Sequence, residues 1–175
     1  MKTSALVLLL ALGAGWLLEP LPATTIQAPD DLPKLVARAG QVSEVLILGA
    51  RPVQRPDGVI ETRYTFSTIL PMKGLVPSVQ EVRIPGGTVA GRGLYLPGMP
   101  ALKAGDRAIL FLSGEGKNGW RLPVGLASGA FQVLPGMDDS SMVIRDTRLQ
   151  PGGGFEQHDH DSFVQAILEE VARQG

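Results

Sequence analysis

The sequence predicts a mainly β fold: a small, antiparallel, OB-like and partly open β-barrel, with a short N-terminal helix and a C-terminal amphipathic helix. Glycine and proline are frequent, with 22 and 14 among 175 residues, which is typical of short strands joined by tight turns. The apolar runs follow one another without helical patterns between them, which favours antiparallel pairing. About six short strands and two helices fit a small barrel better than a larger sandwich.

A short helix followed by a long antiparallel hairpin is predicted first. Asp31 precedes the apolar stretch 32–39, where its carboxylate can cap free amides, and Gly40 can end the helix. The run 42–49 is apolar and rich in β-branched residues, whereas 59–67 alternates, with even-numbered residues on one face and odd-numbered residues on the other. Turn residues separate the two runs, so we expect them to pair.

Further short strands are predicted at 79–84, 94–96, 107–112, 120–122, 130–134 and 142–144. The unbroken apolar run 107–112 is the candidate for a central strand that is covered on both faces. The segment 85–100 is rich in glycine and proline, which predicts a loop with little regular structure.

The C-terminal region is predicted to be a glycine linker, 151–154, and an amphipathic helix. Apolar residues recur at helical spacing from Phe163 to Val171, with charged residues opposite. Asp161 or Ser162 can supply the N-cap.

The N-terminus, residues 1–23, is predicted to be a secretory signal peptide. Lys2 supplies its positive charge, and the uncharged apolar run 5–18 is shorter than the about 20 residues that a helix needs to cross a bilayer. The small side chains of Ala23 and Ala28 make both candidate cleavage sites, and Ala23 is preferred because cleavage after Ala28 would leave Pro29 at the first position. An uncleaved N-terminal anchor is the competing interpretation.

Three segments follow from these patterns: the leader 1–23, an OB-like barrel domain 24–150, and the linker with its helix 151–175. No second apolar stretch is long enough to span a bilayer, so we expect no transmembrane segment in the mature chain. The sequence therefore predicts a secreted or periplasmic protein.

Composition narrows the function classes. The formal net charge of −1 argues against a nucleic-acid partner, which favours a basic face. The absence of cysteine excludes disulfides, thiolate zinc sites and CxxC redox chemistry. We expect a monomer that carries no cofactor.

The order of these signals resembles the netrin-like version of the OB barrel, whose best-known members are tissue inhibitors of metalloproteinases. It also resembles exported bacterial domains of unassigned activity. The resemblance covers Asp30 to Leu134, and the stretches that carry it are 39–49, 65–70, 73–74, 82–84 and 104–112. It implies a barrel fold. The animal inhibitors chelate the protease zinc through an N-terminal cysteine, which this chain lacks, so that chemistry and its residues do not transfer.

The only concentrated set of ligand-type side chains is 156–161, which contains His158, His160 and Asp161. Imidazoles and carboxylates bind zinc or copper, and two histidines two residues apart can share a metal on an extended segment. These three residues are the candidate metal site. The competing interpretation is a solvated loop whose acidic residues cap the following helix.

Other motifs favour structural roles. The stretch 114–119 matches G-x-G-x-x-G, but no helix follows, so we expect a hairpin tip rather than a nucleotide site. Ser128 lies near a nucleophile-elbow pattern but is displaced by one position. Trp120, Tyr64 and Tyr95 are possible stacking surfaces that core packing can equally explain.

The sequence thus favours an exported, non-catalytic binding module. Its expected partner is another exported protein, with proteases among the candidates, and recognition is expected through barrel loops or the segment 85–100. One alternative is a metal-binding protein or metal-dependent enzyme that uses His158 and His160. Another is a structural, envelope-associated module whose terminal helix docks on a partner.

Overall fold

The computed structural model describes residues 29–136 and 140–175. The predicted leader and both candidate cleavage sites, Ala23 and Ala28, lie outside these residues. The elements of the described chain, besides a short 3₁₀ helix at Leu126–Gly129, are α1 (Leu32–Arg38), β1 (Gln41–Gln54), β2 (Ile60–Lys73), β3 (Val79–Pro85), β4 (Gly87–Val89), β5 (Arg92–Leu94), β6 (Arg107–Leu112), β7 (Ala130–Pro135), β8 (Ser141–Asp146), β9 (Phe155–Asp159) and α2 (His160–Gln174).

Seven strands form one antiparallel sheet in the order β3-β2-β1-β6-β7-β8-β9, and β4 pairs with β5 in a second, small sheet. The large sheet is not closed, because β3 and β9 are its end strands. The loop after β6 reaches β3 through one bond, in which the Arg121 amide donates to the Arg83 carbonyl at 3.2 Å. The predicted mainly β, antiparallel and partly open architecture with two helices is confirmed.

The predicted hairpin is present and longer than expected, since β1 and β2 each extend over 14 residues. Their register shifts at three points, all within residues 42–49 of β1. Such bulges bend a strand and increase its twist, so two long strands can curve instead of remaining flat. One end of each strand therefore faces the helices, while the other end extends beyond them.

The sheet buries side chains on both faces where β1 pairs with β6. Val42 and Phe111, which are cross-strand partners, belong to a core on the side of the helices, which we call the helix face. Val45 and Ala108, also partners, belong to a second core on the opposite side, which we call the loop face. Five of the six residues of β6 are buried, which confirms a central strand covered on both sides.

The two helices cover the helix face. Asp31 caps α1, its side chain accepting from the Lys34 amide at 3.1 Å, as the sequence predicts. Leu35 of α1 and Ile167 of α2 are fully buried in the same core. Within the described residues, no helix is long and apolar enough to cross a membrane.

Residues 156–161 do not form a loop, although most of them are exposed as the solvated-loop interpretation expects and an acidic residue among them caps the following helix. Residues 155–159 form the end strand β9, which pairs with β8, and the glycine stretch 151–154 lies in the turn between them. Pairing keeps the chain extended as far as Asp159, so the helix begins at His160. The N-cap is therefore Asp159, which accepts from the Ser162 amide at 2.9 Å, and not Asp161 or Ser162.

Two further expectations need correction. The stretch 120–122 is not a strand; within the described chain, the neighbouring Pro123 makes only an isolated bridge to Leu112. The segment 85–100 contains more regular structure than its composition predicts, since β4 and β5 form a hairpin there. Pairing ends at Leu94 rather than continuing through 94–96, so Tyr95 and Leu96 lie outside the strands.

Alanine substitutions at two adjacent glycines can test the geometry of the turn between β8 and β9. A Cβ at Gly153 would overlap the carbonyl oxygen of Thr147, whereas a Cβ at Gly154 would meet nothing within 4 Å. We expect Gly153→Ala to lower the free energy of unfolding by about 1–3 kcal/mol, because backbone atoms must move. Gly154→Ala, the matched control, should change it by less than about 0.5 kcal/mol. Urea unfolding followed by circular dichroism measures both, and equal losses would contradict the turn geometry.

Candidate functional site

The structure separates the two histidines of the predicted metal site. His158 lies in β9, whereas His160 begins α2 and has its Nδ1 2.8 Å from Asp161 Oδ1. The Nε2 of His158 instead lies 3.6 Å from Glu156 Oε2, and its ring stacks on Phe163 at 4.8 Å between centroids. In the part of the chain that the structure describes, no group of three or more histidine, aspartate or glutamate side chains is arranged to hold a metal ion.

His160 bridges two carboxylates. Its Nε2 lies 3.0 Å from Glu44 Oε2, while Nδ1 contacts Asp161. A neutral imidazole carries one N–H, so only the protonated ring can donate to both carboxylates. Burial lowers the pKa of His160, but the hydrogen bonds with Asp161 and Glu44 outweigh burial and hold the pKa above its ordinary value. His160 therefore keeps its charge to a higher pH than an isolated histidine.

Glu44 is the centre of this arrangement. It lies on the helix face of β1, its side chain is only 1% exposed, and the Arg107 Nε on β6 donates to its Oε1. We call Glu44, Arg107, His160 and Asp161 the Glu44 cluster. Removing the partners of a buried carboxylate costs about 3–5 kcal/mol, far more than breaking an exposed ion pair. The cluster thus ties the start of α2 to the β1–β6 pair.

A second buried charge, Arg145 on β8, joins the N-terminal segment to β9. Its guanidinium binds both carboxylate oxygens of Glu156 at 2.6 Å and donates to the carbonyls of Asp30 and Ser128 at 2.9 and 3.0 Å. It also lies 4.7 Å from the centroid of the Phe131 ring. A cavity of about 500 Å³ adjoins this network, but Arg145 and Glu156 in its wall already satisfy each other.

Ser128 and the stretch 114–119 both have structural roles. Ser128 is buried, its hydroxyl donates to Gln150 Oε1 at 2.8 Å, and neither histidine contacts it. The stretch 114–119 is a hairpin tip, as predicted, with the Gly116 amide donating to the Trp120 carbonyl at 2.9 Å. No helix follows this tip to supply amides for a phosphate.

The three aromatic residues proposed as stacking surfaces differ in how much of each side chain is exposed. The Trp120 indole donates to Glu61 Oε2 at 2.8 Å, and the Arg55 guanidinium lies 5.6 Å from its ring centroid. Tyr64 is half-buried against Phe66, where burial raises the pKa of its phenol. Tyr95 remains 75% exposed. It is the aromatic side chain with the most free surface among these three.

Tyr95 belongs to a segment, residues 86–102, that crosses the loop face of the sheet. Met99 and Leu102 of this segment pack on the loop-face core. A cavity of about 220 Å³ lies between the segment and β2–β3, with Leu94 and Tyr95 in its wall. A second cavity, of about 300 Å³, lies on the side of β6–β8. The segment therefore contributes to two cavities, and its exposed side chains Leu94 and Tyr95 adjoin the smaller one.

Comparisons with protein-family models, with curated proteins and with solved structures found no match for this chain.

Sequence reasoning did not identify Glu44, Glu61 or Arg145 as buried charges. Glu44 and Glu61 fall in strands where an acidic residue is expected to face solvent. The residues that help to bury them are distant in sequence: Arg107 is 63 residues from Glu44, and Trp120, which donates to Glu61 beside the nearby Arg63, is 59 residues from it. No local spacing marks such pairs. The one available signal was the apolar run on both sides of Glu44, which predicts a strand covered on both faces.

We expect the stabilisation that His160 provides to decrease as pH rises. Its folded pKa is raised, so the contribution is complete below the unfolded pKa of about 6.5 and is lost as pH rises through the folded value. His160→Gln should lower the free energy of unfolding by about 1 kcal/mol near pH 6 and by less near pH 9. His158→Gln is the control, and urea unfolding measures all three proteins.

A His160→Gln loss that stays constant, or grows, between these pH values would contradict the bridging role of the imidazolium. An equal loss in His158→Gln would assign the effect to the segment rather than to the Glu44 cluster.

Proposed function

We propose that this protein is an exported, non-catalytic binding module that recognises another exported protein through segment 86–102. One observation carries the proposal: Leu94 and Tyr95 are exposed on this segment, beside a cavity of the loop face. Tyrosine is enriched at the centres of protein interfaces, because its ring supplies apolar area and its hydroxyl a hydrogen bond. An exposed tyrosine next to an unfilled cavity has the features of a recognition site.

The cavity sizes favour a protein partner over a small molecule. Small-molecule sites usually have volumes of about 300–1,000 Å³, and the two cavities beside the segment, about 220 and 300 Å³, are at or below the lower limit. Each can accept a side chain that a partner inserts. The apolar residues of the cavity next to Tyr95, including Ile84 and Met99, suit an aliphatic or aromatic side chain.

The segment is held firmly enough to present these residues. The Ala127 amide donates to the Gly98 carbonyl at 2.8 Å, and Met99 and Leu102 anchor the segment on the core. Gly87, with a φ of +127°, allows a close approach, since a Cβ there would lie 2.7 Å from Thr62 Oγ1. A loop that is anchored before binding loses less conformational entropy on binding.

A protease is one candidate partner, because the order of sequence signals resembles netrin-like barrels, whose best-known members inhibit metalloproteinases. The chain has no cysteine, so zinc chelation by an N-terminal thiolate is not available to it. Recognition would instead depend on surface contact by segment 86–102.

Export itself can be tested directly. In a bacterial host with a general secretion pathway, we expect intact-mass measurement of the exported protein to give a chain that begins at Thr24, or at Pro29 if cleavage follows Ala28. A variant with Leu8→Arg and Leu9→Arg interrupts the apolar run and should remain unprocessed in the cytoplasm. A full-length mass in the exported fraction would contradict cleavage, and cytoplasmic retention of the natural sequence would contradict export.

The recognition surface can be tested by photo-crosslinking in the exported fraction. We expect benzoyl-phenylalanine at position 95 to form a defined adduct with another exported protein, and Leu94→Ala to reduce the yield several-fold. Position 168 is the matched control, since Leu168 is 39% exposed and lies on α2.

No adduct at position 95, or equal adducts at both positions, would contradict recognition by segment 86–102. An adduct at position 168 alone would favour the envelope-associated alternative, in which the terminal helix docks on a partner.

A further inference from the structure

Three arginines form a row across the first three strands of the sheet. Arg51 of β1 lies directly opposite Arg63 of β2, and Arg63 lies directly opposite Arg83 of β3. Directly opposed residues point to the same face, with their Cβ atoms about 5 Å apart. Like charges in such positions repel each other, so the row opposes folding unless anions offset it.

The carboxylates near this row neutralise only part of its positive charge. Arg63 Nε lies 3.2 Å from Glu61 Oε1, but Glu61 also accepts from Trp120 and lies 3.7 Å from Arg55. Glu81 lies 3.5 Å from Arg83 and 4.0 Å from Arg63, so two guanidiniums share it.

Arg51 is the unpaired member of the row. Within residues 29–136 and 140–175, its side chain forms no ion pair or hydrogen bond. The row therefore retains a positive charge that the protein does not neutralise.

The row belongs to an open part of the helix face. The core around Met72 is covered by α2, and Glu61 is buried near Trp120 at the other end of the strands. Between these covered ends, cross-strand register places the arginine row next to Thr65 and Glu81, followed by the exposed apolar residues Leu46 and Val79 on either side of Ser67. Two further exposed apolar residues, Leu48 and Ile69, lie at the register shifts of the same strands. This area, which we call the arginine face, combines positive charge with exposed aliphatic surface.

We propose that the arginine face docks an acidic amphipathic α-helix of another protein. Charge complementarity requires carboxylates opposite the row, and the aliphatic residues require apolar side chains beside them. The row extends over about 10 Å across three strands. Glutamates at positions i, i+4 and i+7 of a helix extend over about 10.5 Å, whereas three alternate residues of an extended strand extend over about 13 Å. The spacing therefore favours a helix that lies across the strands.

This inference does not depend on the leader or on segment 86–102. Along β2, successive residues alternate between faces, so Arg63 points to the helix face while Tyr64 points to the loop face, where segment 86–102 lies. Loss of helix binding should leave crosslinking at position 95 intact, which distinguishes the two proposals.

The test uses a synthetic probe and the protein of residues 24–175. A fluorescein-labelled helical peptide with glutamates at i, i+4 and i+7 and leucines along the adjacent flank is titrated at low ionic strength, with anisotropy as the readout. We expect saturable binding that weakens about five- to tenfold in Arg51→Gln/Arg83→Gln and weakens as salt is added. Arg148→Gln, an arginine that is 70% exposed between β8 and β9, is the matched control and should bind normally. Circular dichroism confirms that each variant is folded.

A second peptide and a charge-reversal variant complete the test. A peptide with the same composition but with glutamates at i, i+2 and i+4 should bind more weakly, and Arg51→Glu/Arg83→Glu should favour a lysine version of the helix. No saturable binding of the glutamate helix, an equal loss in Arg148→Gln, or arginine-dependent binding of heparin without binding of the helix would each overturn the proposal. The heparin result would assign the face to a sulfated polysaccharide.

Discussion

The pairing of β1 with β6 is the constraint on which the rest of this structure depends. Where these strands pair, side chains are buried on both faces of the sheet, so a charged side chain there needs a partner of opposite charge. Glu44 is the buried charged residue of β1, and its burial requires cations at defined positions. Arg107 supplies one from the adjacent strand and His160 the other from α2, so the first residue of the terminal helix is fixed relative to the centre of the sheet.

Because Glu44 needs these partners, residues 158–161 have a structural role. His160 and Asp161 contribute to a cluster that neutralises a buried carboxylate, and His158 packs on Phe163 in the helix-side core. Pairing of β9 with β8 keeps the two histidines on different elements, although they are two residues apart in sequence. A short sequence spacing therefore says little about spatial proximity where a strand passes directly into a helix.

Much of the fold could be predicted because it depends on local patterns. Period-two alternation identified β2, and an uninterrupted apolar run identified β6 as central. β9 was not predicted, because an end strand with exposed polar residues such as Glu156 and Gln157 has the composition of a loop. The arginine row also could not be predicted, since three bulges shift the pairing of β1 with β2 and the alignment of Arg51 with Arg63 depends on that shift.

Successive side chains along a strand point to opposite faces of the sheet, and this alternation both forms two cores and separates the two proposed binding surfaces. Segment 86–102 rests on the loop face, while the arginine face lies on the opposite side of the same strands. The sheet between them is rigid, since β1–β2–β3 are joined by continuous antiparallel pairing and Phe66 is fully buried. A partner on one face therefore does not compete sterically for the other. The two proposed surfaces can thus be occupied at the same time, because the two cores and the Glu44 cluster keep the sheet between them rigid in a chain without cysteine.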